Sequence, residues 1–351
     1  TTSNHRTHIY VGIAGEGENV GEGGLYRRAD GGEDWKNISK GLPSNPQIRS
    51  LLIHPDSPNV IYAGTQYGPY RSDDRGDHWE ALESPRQGMD TWSLAFQPND
   101  SHIIFAGYEP CAIYRTENGG ETWKQMDTSR VKFPHVTTYM PPLAKRVIEI
   151  AADPSDPNDV YAAIEVGGLL ASRDGGDSWD CITDGLYTRN NTVDLHGVQV
   201  SAAAPGMVFL ATQVAMFLSR DKGHSWEHVR FGEMFPGGSY CRDLQVAPDD
   251  PKTLYLAAGA GGGGAPQGTI EAGALFRSHD LGETWERLDL GDTPPSRMYQ
   301  TAIDRSEPSR IFCCTGYGHL FSSSDGGETW DKDQIPVPMS RSRHVYAMAC
   351  G

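Results

Sequence analysis

Short apolar stretches recur along the whole chain, and Gly, Pro, Asp, Asn or Ser bounds each of them. One set comprises residues 48–53 (IRSLLI), a turn at 54–59 (HPDSPN), residues 60–65 (VIYAGT) and residues 70–72 (YRS). These runs are too short for helices, and their β-branched and aromatic residues suit a pleated, half-buried surface, so they predict strands joined by tight turns. Similar turns return at 97–100, 153–157, 247–251 and 305–308, which anchors one unit on the next.

Between the sets one phrase appears seven times: ADGGEDW at 29–35, DDRGDHW at 73–79, ENGGETW at 117–123, RDGGDSW at 173–179, RDKGHSW at 220–226, HDLGETW at 279–285 and SDGGETW at 324–330. Seven of the eight tryptophans end it, at spacings of 44, 44, 56, 47, 59 and 45 residues. A period of that size belongs to a propeller or a solenoid. The Asp-x-Gly centre suits a tight turn whose carboxylate bonds its own backbone, and the indole that follows covers a blade edge. Repeated Gly and Asp at fixed offsets mark turns, so these residues are expected to staple the fold rather than to catalyse.

The phrase resembles the Asp-box, or bacterial neuraminidase repeat, S-x-D-x-G-x-x-W, with residues 278–285 and 323–330 nearest that pattern. The resemblance covers nearly the whole chain. It implies a β-propeller with the phrase on the turn between the third and fourth strands of each blade, far from the ligand face. Sialidases share the repeat, but their propeller has six blades and their nucleophile pair has no match here. The expected fold is therefore all-β: a seven-bladed β-propeller of four-stranded antiparallel blades, one domain over residues 1–351. A propeller grows by adding blades around a channel, so this length needs no second core. Residues 344–350 read as an innermost strand and residues 8–13 as a second strand, so the two ends are expected to complete one blade. That closure sets Glu16 or Glu18 in the loop opposite His344.

The net charge of -16 opposes nonspecific binding to nucleic acid or to an anionic membrane. With no run of 18 apolar residues and no basic, apolar leader, neither a span nor a signal peptide is expected. The six cysteines (111, 181, 241, 313, 314 and 350) lack a regular spacing, which favours free thiols in a reducing, cytoplasmic setting.

Aligning the units gives two positions that face one end of the channel. The start of the innermost strand carries Arg49, Trp92, Ile148, His196, Arg242 and Tyr299, with Arg146 two residues before Ile148. The end of the second strand carries Gln66, Glu109, Glu165, Gln213, Gly259 and Gly316 followed by Tyr317. His344 joins them through ring closure. Polar and ionisable groups gather here while the neighbouring strand residues are Leu, Ile, Val and Ala, as in a ligand site. Trp92, the one tryptophan outside the phrase, suits stacking on a sugar or an aromatic ring. Three longer connections, 126–146, 184–196 and 229–242, bring Lys132, His135, Tyr139, Lys145, Tyr187, Arg189, Asp194 and Tyr240 to the same face. The glycine-rich run 259–264, continuing to Gly268, reads as a flap rather than a phosphate cradle.

These groups suit acid/base hydrolysis or elimination on a small, oxygen-rich, anionic substrate, with no cofactor. Glu109 or Glu165 would serve as base and His196 as acid, Arg49, Arg146 and Arg242 would clamp the anion, and Trp92, Tyr299 and His344 would line the pocket. One alternative is a divalent metal held by His196, His344, Glu109 and Glu165, with His135 or His319 as further candidates. Another is a non-catalytic interaction or assembly propeller, which would present a flat basic face instead of a pocket.

Overall fold

The computed structural model describes residues 6–15, 20–32, 34–84, 88–135, 144–186, 192–229, 239–261, 272–340 and 342–351. Within them lie 28 strands and no α-helix. The strands pair antiparallel into seven sheets of four, the seven-bladed β-propeller expected. Six blades run in chain order from the channel outward, as in Asp90–Gln97, Asp100–Glu109, Ile113–Thr116 and Lys124–Gln125. The seventh takes His344–Cys350 as its innermost strand, followed by His8–Ala14, Gly24–Ala29 and Lys36–Asn37. Ile9 pairs with Cys350 and Ala14 with His344, so the chain ends lock the ring as predicted. Among the described residues no helix is long and apolar enough to cross a membrane.

Blades pack face to face through what their strands alternate inward. One cluster joins Tyr10, Leu25 and Ile38 of the closing blade to Ile61, Ala63 and Trp79 of the next, and the Trp79 indole donates to the carbonyl of Ile38 across that boundary at 2.9 Å. The outermost strands are two to four residues long and mostly exposed, since no strand lies beyond them in their sheets. All six cysteines are free thiols.

The repeated phrase forms the turn that its composition requires. In the copy at 173–179 the Ser172 hydroxyl accepts from Gly176 N at 2.8 Å and donates to Asp174 Oδ1 at 2.7 Å, while Ser178 N and its hydroxyl donate to Asp174 at 2.9 and 2.7 Å. Gly176 has φ +94°, which glycine adopts without strain. The arrangement recurs about Asp74, Asn118, Asp221, Asp280 and Asp325. The copy at 29–35 departs from it, because Arg28 stands where the others have Ser or Thr. There the Arg28 guanidinium covers the Trp35 ring at 4.9 Å, and Asp30 pairs with Arg310 of the neighbouring blade.

One strand boundary differs from expectation. The first innermost strand begins at Ser50 rather than at Ile48, because Ile48 N bonds to Ile13 O of the adjacent blade and Arg49 is displaced from the ladder.

Candidate functional site at the channel mouth

The displacement of Arg49 is one instance of a rule obeyed by every blade. Thr91 pairs with Tyr108 and Ser93 with Gly107, so Trp92 is skipped. The same slip skips Ile148, His196, Arg242, Tyr299 and Tyr346 in five other blades. In the remaining blade Arg49 N bonds to Gly64 O while Ser50 pairs with Gly64, so two residues again oppose one. A bulge inserts an extra residue and re-aims its side chain. Here seven bulges at one height present side chains of five kinds to the channel. The residue opposite must be small: a Cβ on Gly107 would lie 2.4 Å from both Ser93 Oγ and Val147 Cγ1.

In three blades the side chain of the residue after the bulge ties neighbouring blades together. Ser93 Oγ donates to Val147 O at 2.8 Å, Glu149 Oε2 accepts from Val198 N at 2.9 Å, and Asp243 Oδ2 accepts from Thr301 N at 2.6 Å. Burial, with repulsion from Asp243 behind it, pushes the Glu149 carboxyl well above the usual range, and burial pushes Asp243 up to about 6.

Above this layer the predicted residues converge. Arg146 joins the two predicted carboxylates: its Nε donates to Glu109 Oε2 and its Nη1 to Glu165 Oε2, both at 2.8 Å. The Trp92 indole donates to the same Glu109 oxygen at 2.9 Å. Arg49 and Arg146 stack over the Trp92 ring at 4.4 and 4.5 Å, a favourable cation–π geometry for desolvated guanidinium groups. Arg242 lies over Tyr299 at 5.0 Å, and both it and Arg49 lie over Tyr346. His196 is buried against Tyr240, its Nδ1 sharing a 2.8 Å hydrogen bond with Cys241 O and its Nε2 standing 3.8 Å from Asp194. His344 contacts the rings of Tyr299, Tyr317 and Tyr346.

Two cavities share this mouth. A channel cavity of about 150 Å³ is lined by Arg49, Trp92, Ile148, His196, Arg242 and Tyr346, with Glu149 and Asp243 at its wall. An open groove of about 790 Å³ runs beside it, lined by Asn45, Gln47, Tyr67, Asp90, Glu109 and Arg146 among others. Arg49 belongs to both. Tyr67 is 56% exposed at the groove, more open than the other large hydrophobic side chains among the described residues.

Glu109 and His196 therefore line different cavities, which the aligned repeats did not distinguish. Sequence reasoning missed Tyr346, which occupies the bulge position in the closing blade; aligning its run Ala347-Met348-Ala349-Cys350 with Ser50-Leu51-Leu52-Ile53 reveals it. Asp90, which pairs with Arg49 at 3.3 Å and faces Glu109 across the strand ladder, was also missed, since it precedes the innermost run. Tyr139, Tyr187, Arg189, Glu16, Glu18 and all but the start of the glycine-rich run lie outside the described residues. Among the described residues no three His, Cys, Asp or Glu side chains gather as a metal-binding group, so the metal alternative finds no ligand set there.

Residues 23–163 match the family model described as "Sortilin, neurotensin receptor 3". Over 344 residues the chain is 24% identical to a xyloglucanase of Hypocrea jecorina, covering 84% of this chain and 39% of that one. It is 24% identical over 310 residues to the photosystem II assembly lipoprotein Ycf48 of a Synechococcus strain, covering 77% and 83%. The crystal structure of the GH74 xyloglucanase from Xanthomonas campestris superimposes with a TM-score of 0.68 at 17% identity, over 93% of this chain and 52% of that one. The chain thus spans about half or less of the length of these xyloglucanases, and the likeness in structure is one of fold.

Proposed function

We propose that this propeller is a hydrolase that takes an oxygen-rich carbohydrate into the groove at its channel mouth. The observation that carries the reading is the composition of that groove. An exposed aromatic face, Tyr67, stands beside the amides of Asn45, Gln47 and Gln66 and the carboxylates of Asp90 and Glu109. A sugar stacks its apolar face on such a ring and meets amides and acids with its hydroxyls. The amides are already set in place: Gln66 Oε1 accepts from Gln47 N at 2.9 Å, and Gln66 Nε2 donates to Asn45 O at 3.0 Å. The relatives named xyloglucanases agree with this substrate class.

Glycoside hydrolysis commonly uses two carboxyl groups, one to protonate the leaving oxygen and one to activate water or attack the sugar. Asp90 and Glu109, opposite each other on paired strands, supply such a pair in the groove. Arg146 and Trp92 both bond Glu109 through Oε2, which orients the carboxylate and leaves Oε1 for chemistry. Glu165 then acts as a positioning residue, holding Arg146 from the far side. The test is release of reducing ends from xyloglucan and related oligosaccharides. Glu109→Gln should lose at least about a hundredfold in kcat with its melting temperature unchanged, whereas full activity of that variant, or no turnover of any polysaccharide by the wild-type chain, would overturn the reading.

A second reading has its own support. The chain matches Ycf48 along most of both lengths, as a single propeller. A protein of that kind would use the same mouth to hold a partner segment without turnover, and tight peptide binding with no hydrolysis would favour it.

A further inference from the structure

Beside the groove, the channel cavity contains buried guanidinium groups with N–H donors that no protein acceptor meets. Arg49 and Arg242 are both 8% exposed, and both line the cavity. Among the described residues Arg49 Nη1 and Arg242 Nε are buried with no hydrogen-bond partner, and the hydroxyl of Ser50 in the same cavity wall is also unmatched. Arg49 has one carboxylate partner, Asp90 at 3.3 Å, reached through Nε and Nη2 and so leaving Nη1 unused. Arg242 rests on the faces of Tyr299 at 5.0 Å and Tyr346 at 5.9 Å, and the carboxyl groups of Glu149, Asp243 and Glu165 act on its charge through space without meeting its buried Nε. A guanidinium group removed from water is costly unless an anion or several acceptors meet it. Seven bulges present side chains at this level, and two of them aim a desolvated cation at one space.

We propose that the channel cavity is a binding site for a small oxyanion, a carboxylate or phosphate group, held between Arg49 and Arg242 beside the Tyr346 ring. The planar guanidinium offers parallel N–H donors matched to two oxygens of such a group, which chloride cannot use. The acids of the cavity wall, Glu149 and Asp243, act on Arg242 through space but do not accept from its Nε. Each of their four oxygens already accepts a bond, from Val198 N and Gln199 Nε2 on Glu149 and from Thr301 N and Gln245 Nε2 on Asp243. The raised proton affinity of Glu149 also reduces the negative charge that an entering anion meets. A volume near 150 Å³ admits an inorganic anion, and also an acidic group that reaches down from a sugar lying in the groove, since Arg49 lines both spaces.

The site stands whether or not the groove turns over a glycan, and one titration series separates the two. The purified chain is titrated calorimetrically with sodium acetate, sodium phosphate, glucuronate and glucose, against sodium chloride at matched ionic strength. Acetate, phosphate or glucuronate should bind where chloride does not, and Arg242→Met or Arg49→Met should weaken that binding about tenfold or more while the variants keep a cooperative thermal transition. Glucuronate binding much more tightly than both acetate and glucose identifies an acidic sugar as the ligand, whereas equal binding of acetate and glucuronate identifies a free anion. Absence of binding by every oxyanion, or binding unaltered in both variants, removes the site even if neutral polysaccharide is hydrolysed. Should one variant fail to fold, Arg242→Lys keeps the charge but not the paired donors, and it should bind phosphate less tightly than the wild type.

Discussion

The two ends of each blade differ in how they use repetition. At the outer turns six of the seven copies make the same hydrogen bonds, with Ser or Thr, Asp or Asn, Gly and Trp at the same offsets. At the channel mouth the backbone repeats just as faithfully, a bulge in each innermost strand, yet the bulged residue is Arg, Trp, Ile, His, Arg, Tyr or Tyr. Where backbone and side chain repeat together, the residues serve the blade, because every blade must solve the same turn. Where only the backbone repeats, the side chains are free to build one asymmetric site around a common axis.

The contrast can be broken at its root by deleting residues 344–351. This removes the innermost strand of the closing blade and the pairing of Ile9 through Ala14, so the cooperative thermal transition should be lost outright. Retention of that transition would mean that the ring does not depend on its clasp. Next in size, Glu109→Gln should reduce turnover by at least about 2.7 kcal/mol in transition-state terms and leave stability alone. Turn-face changes should do the reverse. Ser172→Ala strands the Gly176 amide and removes one of the bonds to Asp174, so denaturant unfolding should show a loss of about 1–3 kcal/mol with kcat unaltered.

The smallest effects come from pH, with opposite signs at the two faces. Hydrogen bonds from Ser225 and Ser219 hold the Asp221 carboxyl down to about 2, and those from Thr329 do the same for Asp325. A depressed pKa stabilises the fold above the ordinary carboxylate value, and that contribution fades as pH falls from about 4 to 2. Asp243, raised to about 6, works the other way. Its proton is held more tightly in the fold, so stability from this group is greatest below pH 4 and declines as pH rises to 6. Asp243→Asn should therefore match the wild type near pH 4 and exceed it by a margin that grows as pH rises through 6. Urea denaturation across that range measures both slopes.

Much of this was legible in the chain because repetition turns one unit into a template. Aligned turns located Arg49, Trp92, His196, Arg242 and Tyr299 at one position, and all five are bulged residues. Tyr346 escaped because its strand belongs to a blade begun at the other end of the chain. Asp90 escaped because its significance lies in a partner, Arg49, contributed by the preceding blade.

Local chemistry determined the strands, the turns, the number of blades and the clasp, since each of these depends on contacts within a unit or on an unpaired strand at each terminus. What only the tertiary structure decided is which side chains meet. Ring closure brings Arg146 between Glu109 and Glu165, stacks Arg49 on Trp92, and divides the mouth into a sugar-sized groove and a cation-lined cavity. Apart from Arg146 with Glu165, which share a blade, those contacts join residues from different blades, and their geometry is set by blade tilt and bulge placement, which no single repeat encodes.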